Sequence, residues 1–256
     1  MTHESSRCRC PGAAVARWIC LLLLLSGANA AHGARFNLVA EAGLMEPGQG
    51  EVSQALAWTP GPDATSGALA LQWALEYGPG ERFQVGFALP AVTTTWEGDQ
   101  TSTDVAGMSA WGLFAAIPED RGPFGLTIGA RVGESTTSLG SDLVCILERN
   151  LNTWLISYNV WLSLSWDRGD SRQRHWGSTQ ALGLSRHLGG GLAMGIELAA
   201  VTDLTHGASP RTHWHLGPCV TLERSRWWVT VTPAFKPGAD GAEPDVDLMA
   251  LAGVPF

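Results

Sequence analysis

Apolar and polar side chains alternate along much of the chain that follows residue 48. In the stretch 68–77 one face carries small or polar residues, and the other carries Leu69, Leu71, Trp73, Leu75 and Tyr77. A period of two residues is typical of a β-strand, because successive side chains of a strand point to opposite faces. After a Pro-Gly turn at 79–80 the alternation resumes over 83–89, which predicts an antiparallel hairpin.

The longest alternating stretch runs from Trp154 to Trp166. Its apolar face begins and ends with tryptophan, and its other face is mostly serine and asparagine, with Leu155 and Trp161 as apolar exceptions. Aromatic rings at both ends of an apolar stripe are typical of a strand that faces lipid, because such rings lie at the two membrane interfaces. A strand of this length, tilted by about 40–45°, spans roughly 25–30 Å, the height of the apolar band of a bilayer.

The same pattern predicts about twelve strands, whose connections alternate between short turns and longer polar loops. The predicted strands lie near 49–58, 67–78, 82–90, 104–117, 123–134, 142–149, 153–166, 176–187, 190–202, 212–223, 226–236 and 245–256. This alternation is typical of outer-membrane barrels. We therefore predict an all-β fold, a single antiparallel up-and-down transmembrane β-barrel of about 12 strands. The pattern leaves open which residues face inward near 49–58, 104–117, 142–149 and 176–187.

The N-terminus predicts export from the cytoplasm. Three arginines precede an apolar run at 18–25, and Ala28-Asn29-Ala30 has the form of a signal-peptidase site. We expect a cleaved signal peptide over 1–30, an extension over 31–48 and the barrel over 49–256. The extension has no clear strand pattern, and we expect it to enter the lumen as a partial plug. The expected location is the bacterial outer membrane, with both termini in the periplasm.

Composition narrows the partners. The chain has 16 basic and 24 acidic residues, and the predicted signal peptide holds three of the former and one of the latter. This acidity argues against nucleic acid as a partner, because nucleic-acid binding needs a basic face. Two cysteines, Cys145 and Cys219, remain after the signal peptide. An oxidising compartment permits a disulfide, but the sequence leaves their pairing open.

Polar residues on the non-lipid faces are candidates for the lumen wall. They are Gln72, Glu76, Gln84, Arg131, Asn159, Glu197, His213, His215 and Asp247. Either they form a hydrogen-bonded network that fills the barrel, or some of them line a passage. Small residues at many inward positions, such as Gly86 and Gly129, favour a passage.

Catalytic and metal sites have little support. His213 and His215 lie two residues apart and should face the same side, but a zinc site needs three or four converging ligands. The chain also lacks a Gly-x-Ser-x-Gly nucleophile motif. We expect no cofactor, no metal, no catalytic residues and no enzymatic activity.

Three segments resemble a known family. They are the stretch 38–57 with LMEPGQGEV at 44–52, the hairpin 75–90, and the block 216–256 that ends in GVPF. These segments resemble the "meta-pathway of phenol degradation" family of outer-membrane proteins. Where relatives carry an acidic pair, this chain has only Glu41. The resemblance implies a β-barrel transporter and supplies no catalytic residues.

Three functions follow from these observations. We expect a passive channel for small, aromatic or apolar solutes; the alternatives are a closed structural or adhesive barrel acting through its loops and, less favoured, an outer-membrane enzyme. A water-soluble barrel is disfavoured, because its apolar outer faces would be exposed to water. The expected partners are outer-membrane lipid, a small solute, and the barrel-assembly machinery, through a final strand that ends at Phe256.

Overall fold

A computed structural model describes residues 34–61, 65–135, 138–168, 174–204, 210–237 and 246–256. The predicted signal peptide lies outside these residues. The strands are β1 (Gly50–Pro60), β2 (Ser66–Gly80), β3 (Phe83–Ala88), β4 (Val92–Glu97), β5 (Gln100–Val105), β6 (Ser109–Ile117), β7 (Gly125–Glu134), β8 (Ser138–Leu151), β9 (Trp154–Asp167), β10 (Arg174–Gly189), β11 (Leu192–Asp203), β12 (Arg211–Arg224), β13 (Trp227–Phe235) and β14 (Val246–Pro255). One 3-10 turn, Glu119–Arg121, precedes β7. No helix in the described ranges is long and apolar enough to cross a bilayer.

All strand pairs are antiparallel, and the sheet closes on itself because β1 pairs with both β2 and β14. The fourteen strands occupy twelve positions around the barrel wall, and we call each of these positions a stave. Strands β3 and β4 both pair with β2 as two pieces of one stave, and β5 and β6 form the next stave in the same way. The predicted twelve-stranded antiparallel barrel is therefore confirmed.

One predicted loop is wrong. The interval between the predicted third and fourth strands, 91–103, contains most of a hairpin formed by β4 and β5. This interval is rich in threonine, a good strand former whose hydroxyls can pair across a hairpin. Thr95 and Ser102 share a hydroxyl hydrogen bond of 2.6 Å, and Thr94 and Thr103 share one of 3.3 Å. The third and fourth staves, which contain β4 and β5, are therefore longer at the loop end than the sequence predicted.

The outer surface carries exposed apolar side chains between two aromatic belts. We call the end with the tight turns after β2, β8, β10 and β12 the short-turn end, and the opposite end the long-loop end. The exposed belt at the short-turn end includes Tyr77, Phe83 and Trp154. The exposed belt at the long-loop end includes Trp58, Trp176, Trp214 and Phe235. Such belts match the two interfaces of a membrane.

The structure also settles two of the strand faces that the sequence left open, those of β1 and β8. In β1, Glu51 and Ser53 are buried on the inner side, and in β8 the buried inner residues are Val144, Ile146 and Glu148. Alternation therefore places Cys145 on the outer face of β8. Cys219, by contrast, is buried within the barrel, and both thiols are free. Because the two cysteines face opposite sides of the wall, they do not pair.

Candidate functional site

Residues 34–48 cross the inside of the barrel near the short-turn end. We call this stretch the lumen segment. It has neither helix nor strand over its length. It passes from β12 and β13, where Thr221 donates to the carbonyl of Arg35, to β3, where Met45 donates to Gln84. It therefore passes the inner faces of nine of the twelve staves, from β13 round to β3, before the chain enters β1.

The inner wall supplies the hydrogen-bond acceptors that this extended backbone needs. Glu197 accepts from the amides of Asn37 (3.1 Å) and Leu38 (2.5 Å). Asn159 accepts from the amide of Ala40 (2.5 Å), and Glu148 from the amide of Ala42 (2.9 Å). A buried amide without a partner costs free energy comparable to a lost hydrogen bond. These wall side chains take the place of a neighbouring strand.

The wall also donates to the carbonyls of the same segment. Ser157 Oγ and Asn159 Nδ2 each donate to the carbonyl of Ala40 at 2.8 Å, and Thr127 Oγ1 donates to the carbonyl of Ala42 at 2.9 Å. Asn159 thus binds both the amide and the carbonyl of Ala40. This two-sided recognition gives the segment one register against the wall.

Apolar contacts hold the lumen segment at two points. Phe36 and Val39 are buried in a cluster with Leu155, Ala181, Ala199 and Cys219, and Ala42 is buried against Val144 and Ile146. A Cβ atom at Gly183 would lie 2.7 Å from the Phe36 ring. Glycine at this inward position therefore makes room for the ring.

A cavity of about 830 Å³ remains between the lumen segment and the opposite wall. Its lining includes Glu51 and Glu76 on β1 and β2, Trp111 on β6, and Arg131 on β7. It also includes Thr153, next to a tight turn. The cavity thus extends from the short-turn end, past the lumen segment, into the half of the barrel nearer the long loops.

The cavity wall carries more acidic than basic side chains. Arg131 is paired with Asp142 (Nε to Oδ2, 2.5 Å) and lies 5.4 Å from the centre of the Trp161 ring. Glu51 accepts from Trp228 Nε1 at 2.8 Å, and Glu76 accepts from Gln84 Nε2. Within the described residues, neither of these glutamates has a basic partner within ion-pair distance. The guanidinium is thus offset locally, whereas the two carboxyls are not.

Glu41, in the lumen segment, has an unusual environment for a carboxyl group. Burial, and secondly the nearby carboxyl of Glu148, raise the pKa of Glu41 to about 8, although the backbone amide of Arg35 donates to it and acts in the opposite direction. Both main causes disfavour the charged form. The lumen segment therefore holds a carboxyl that titrates near neutral pH.

The structure divides the predicted lumen residues into three groups. Gln72, Glu76, Gln84 and Arg131 line the cavity. Asn159 and Glu197 also face inward, but they are fully buried beneath the lumen segment.

The third group lies nearer the long-loop end. His213 and His215 lie on one side of β12, opposite Val201 and Ala199 of β11. Asp247 is ion-paired with Lys236 (2.9 Å) and accepts from Thr59 (2.8 Å). In the described part of the chain, no three His, Cys, Asp or Glu side chains come together as metal ligands.

The small inward residues do not all leave open space. At Gly86 the position of a Cβ is taken by the Trp111 ring, and at Gly129 by the side chains of Leu113 and Val144. Side chains from neighbouring staves thus fill the room that glycine leaves, as in a close-packed interior. Gly86 and Gly129 therefore do not open a passage, and the expectation based on them is wrong.

Sequence reasoning missed Glu51, Trp111 and Asp142 as lumen residues. Glu51 and Ser53 alternate with Val52, but Gln54 interrupts the apolar face of β1, so the pattern was ambiguous. Trp111 was missed because the residue type alone does not distinguish an inward tryptophan from a lipid-facing one. Its register with Arg131 and with Gly86 on the two adjoining staves places it inside.

The sequence matches no protein-family model and no curated protein. Solved structures with a similar fold include the NanC porin, with 8% identity, a TM-score of 0.54, and coverage of 80% of this chain and 98% of the porin. The translocator domain of the autotransporter NalP from Neisseria meningitidis has 11% identity, a TM-score of 0.50 and 96% coverage of both chains. The β-domain of the Bordetella autotransporter BrkA has 14% identity, a TM-score of 0.53, and coverage of 82% and 100%. At such identities the likeness concerns the fold alone, and this chain has the fold of outer-membrane β-barrels.

Proposed function

We propose that this protein is an outer-membrane channel for small solutes, narrowed by its own N-terminal segment. The main support for this proposal is the cavity of about 830 Å³ that runs beside the lumen segment from the tight turns toward the long loops. A barrel whose lumen is filled only on one side leaves a route on the other. The outer surface supports a membrane location, because its exposed apolar side chains lie between two aromatic belts.

The cavity wall suggests the class of solute. Trp111 and Trp161 offer aromatic faces, and Glu51 and Glu76 place two carboxyl groups on the wall. Aromatic rings favour planar or apolar solutes, and carboxylates in a pore favour cations over anions. We propose small aromatic or apolar molecules, neutral or cationic, as the solutes. The resemblance to the "meta-pathway of phenol degradation" family supports a transporter role.

The remaining parts of the proposal follow from the barrel. Both barrel termini lie at the short-turn end, which we assign to the periplasm because outer-membrane barrels have short periplasmic turns. We assign no enzymatic activity and no cofactor. Assembly through β14 and Phe256 by the barrel-assembly machinery belongs to the same proposal.

Reconstitution into planar bilayers and liposomes tests the proposal. Folded protein, recognised by faster migration before boiling than after, should give discrete conductance steps. Liposomes that contain it should swell in small neutral or cationic solutes more quickly than in anionic ones of the same size. The matched control is the same protein inactivated by boiling. Folded protein that gives neither conductance nor swelling would contradict the channel function.

A second candidate is a closed barrel that acts through its loops. The hairpin of β4 and β5 supports it, because every residue of β5 is exposed and, within the described residues, β5 pairs with β4 alone. Replacement of residues 93–103 with a short glycine-containing turn should then abolish surface binding or adhesion and leave heat modifiability intact. If conductance is present and the shortened variant adheres normally, the loop function is excluded.

A further inference from the structure

The lipid-facing side of β9 and β10 carries a polar pair inside the apolar band. Tyr158 and Gln180 both point outward, and the Tyr158 hydroxyl donates to Gln180 Oε1 at 2.9 Å. The side chain of Gln180 is exposed, and its amide nitrogen has no acceptor within the described residues. The two N–H groups of this exposed amide therefore lack a partner among the described residues.

The depth of Gln180 makes this arrangement costly. On β10 it is four residues from Trp176, in the belt at the long-loop end, and six residues from Arg186, which stacks on the Trp154 ring at the short-turn end. At about 3.3 Å per residue and a tilt near 40°, these separations are roughly 10 and 15 Å along the membrane normal. Lipid tails offer no acceptor at this depth, and an unpaired amide there costs free energy.

We propose that the protein forms a two-fold symmetric dimer through this face, in which the two Gln180 side chains bond to each other. The inference rests on the proposed membrane location but not on channel activity. A two-fold axis along the membrane normal keeps every residue at its own depth, so Gln180 of one copy meets Gln180 of the other. A carboxamide is self-complementary, because each nitrogen donates to the other oxygen. A second copy therefore supplies the acceptor that lipid lacks.

The residues around Gln180 permit close approach. Its register partner on β11 is Ala200, and its partner on β9 is Val160. Ser178 and Thr202 form the next outward pair on β10 and β11. Small and hydroxylated side chains allow backbones to approach and hydrogen bonds to form within a membrane.

The first experiment measures the dimerisation constant of the full-length exported protein in density-matched detergent by sedimentation equilibrium. Gln180→Leu should weaken dimerisation about tenfold, since it removes two bonds within the membrane. The matched control is Tyr158→Phe, because it removes the neighbouring hydroxyl and leaves the Gln180 carboxamide in place. A monomeric wild type, or equal weakening by both substitutions, would overturn the proposal.

Cysteine cross-linking in native outer membranes provides a second, independent readout. In a Cys145→Ala background, Ala200→Cys should be joined into a covalent dimer by a short bis-maleimide, whereas Leu71→Cys on β2, across the barrel, should not. A cross-link from Ala200→Cys to a protein of different mass, equal cross-linking at both positions, or none at either would overturn it. Conductance by a protein that stays monomeric would remove the dimer alone, whereas a dimer without conductance would remove the channel alone.

Discussion

The inner wall has two sides that treat polar groups differently. Beneath the lumen segment, on β8 to β13, polar side chains such as Glu197 and Asn159 are fully buried, and each binds the backbone of the segment. Across the cavity, on β1 to β3, Glu51 and Glu76 have hydrogen bonds but no basic partner in the described chain. The first side is a binding surface for the protein's own chain. The second lines the cavity, where Glu76 is half-buried and Glu51 is buried beside Trp228.

The burial of an inward-facing side chain therefore depends on what covers it as well as on which face of its strand it occupies. Glu197 and Glu76 have the same chemistry and both face inward. One is covered by Asn37 and Leu38, and the other lines the cavity. Changes on the covered side should therefore open the lumen, and changes on the cavity side should alter its selectivity.

Deletion of residues 34–46 should have the largest effect. Without the segment the lumen loses the chain that occupies its covered side, and the single-channel conductance should rise several-fold. Heat modifiability should persist, because the barrel closes through β1 and β14 without the segment. Unchanged conductance in a folded deletion variant would show that the segment does not narrow the route.

Glu197→Leu should have the next largest effect. It removes the acceptor for the amides of Asn37 and Leu38 and for the hydroxyl of Thr232. Loss of such buried partners costs about 1–3 kcal/mol each. The segment should detach intermittently and give noisy openings to a higher conductance in bilayer recordings. Glu134→Leu is the control, because its exposed ion pair with Arg168 has little energetic value; similar noise in both variants would argue against a specific role of Glu197.

The pH should tune the same attachment through Glu41. Its pKa is raised to about 8 when the segment is docked, so docking favours the protonated form. Docking should be strongest near or below the ordinary pKa of 4.5, weaken as pH rises, and level off above about pH 8. Openings should become more frequent between neutral and alkaline pH, and Glu41→Gln should remove most of this dependence. A dependence that survives Glu41→Gln would assign it to other groups, such as Glu148.

Changes on the cavity side should give the smallest effect. Glu51→Gln together with Glu76→Gln should reduce the permeability of K⁺ relative to Cl⁻, measured as a reversal potential in a salt gradient. Total conductance should change little, because the side-chain volumes are nearly equal. Asp247→Asn is the matched control, since this carboxylate is already paired with Lys236. If only the control alters selectivity, the charge filter lies near the long loops instead.

The strand pattern and the fold could be predicted from the sequence, but the residues of the lumen site could be predicted only in part. Trp154 to Trp166 revealed its two faces because lipid on one side and lumen on the other demand different side chains. Gln72, Glu76, Gln84 and Arg131 were found on the cavity wall by the same alternation. Trp111 and Cys145 were not placed, because an apolar residue satisfies either face and only pairing register decides between them.

Local sequence by itself determined the twelve staves, the tight turns and the aromatic belts, since a two-residue period and turn residues act over a few neighbours. Tertiary structure alone decided how the lumen is occupied. The contacts from Asn37 to Glu197 and from Ala40 to Asn159 join residues more than a hundred positions apart. Residues 34–48 carry no strand or helix pattern, so their conformation comes from the wall that binds them. The same closure of the barrel divides identical glutamates into a covered set and a cavity-facing set.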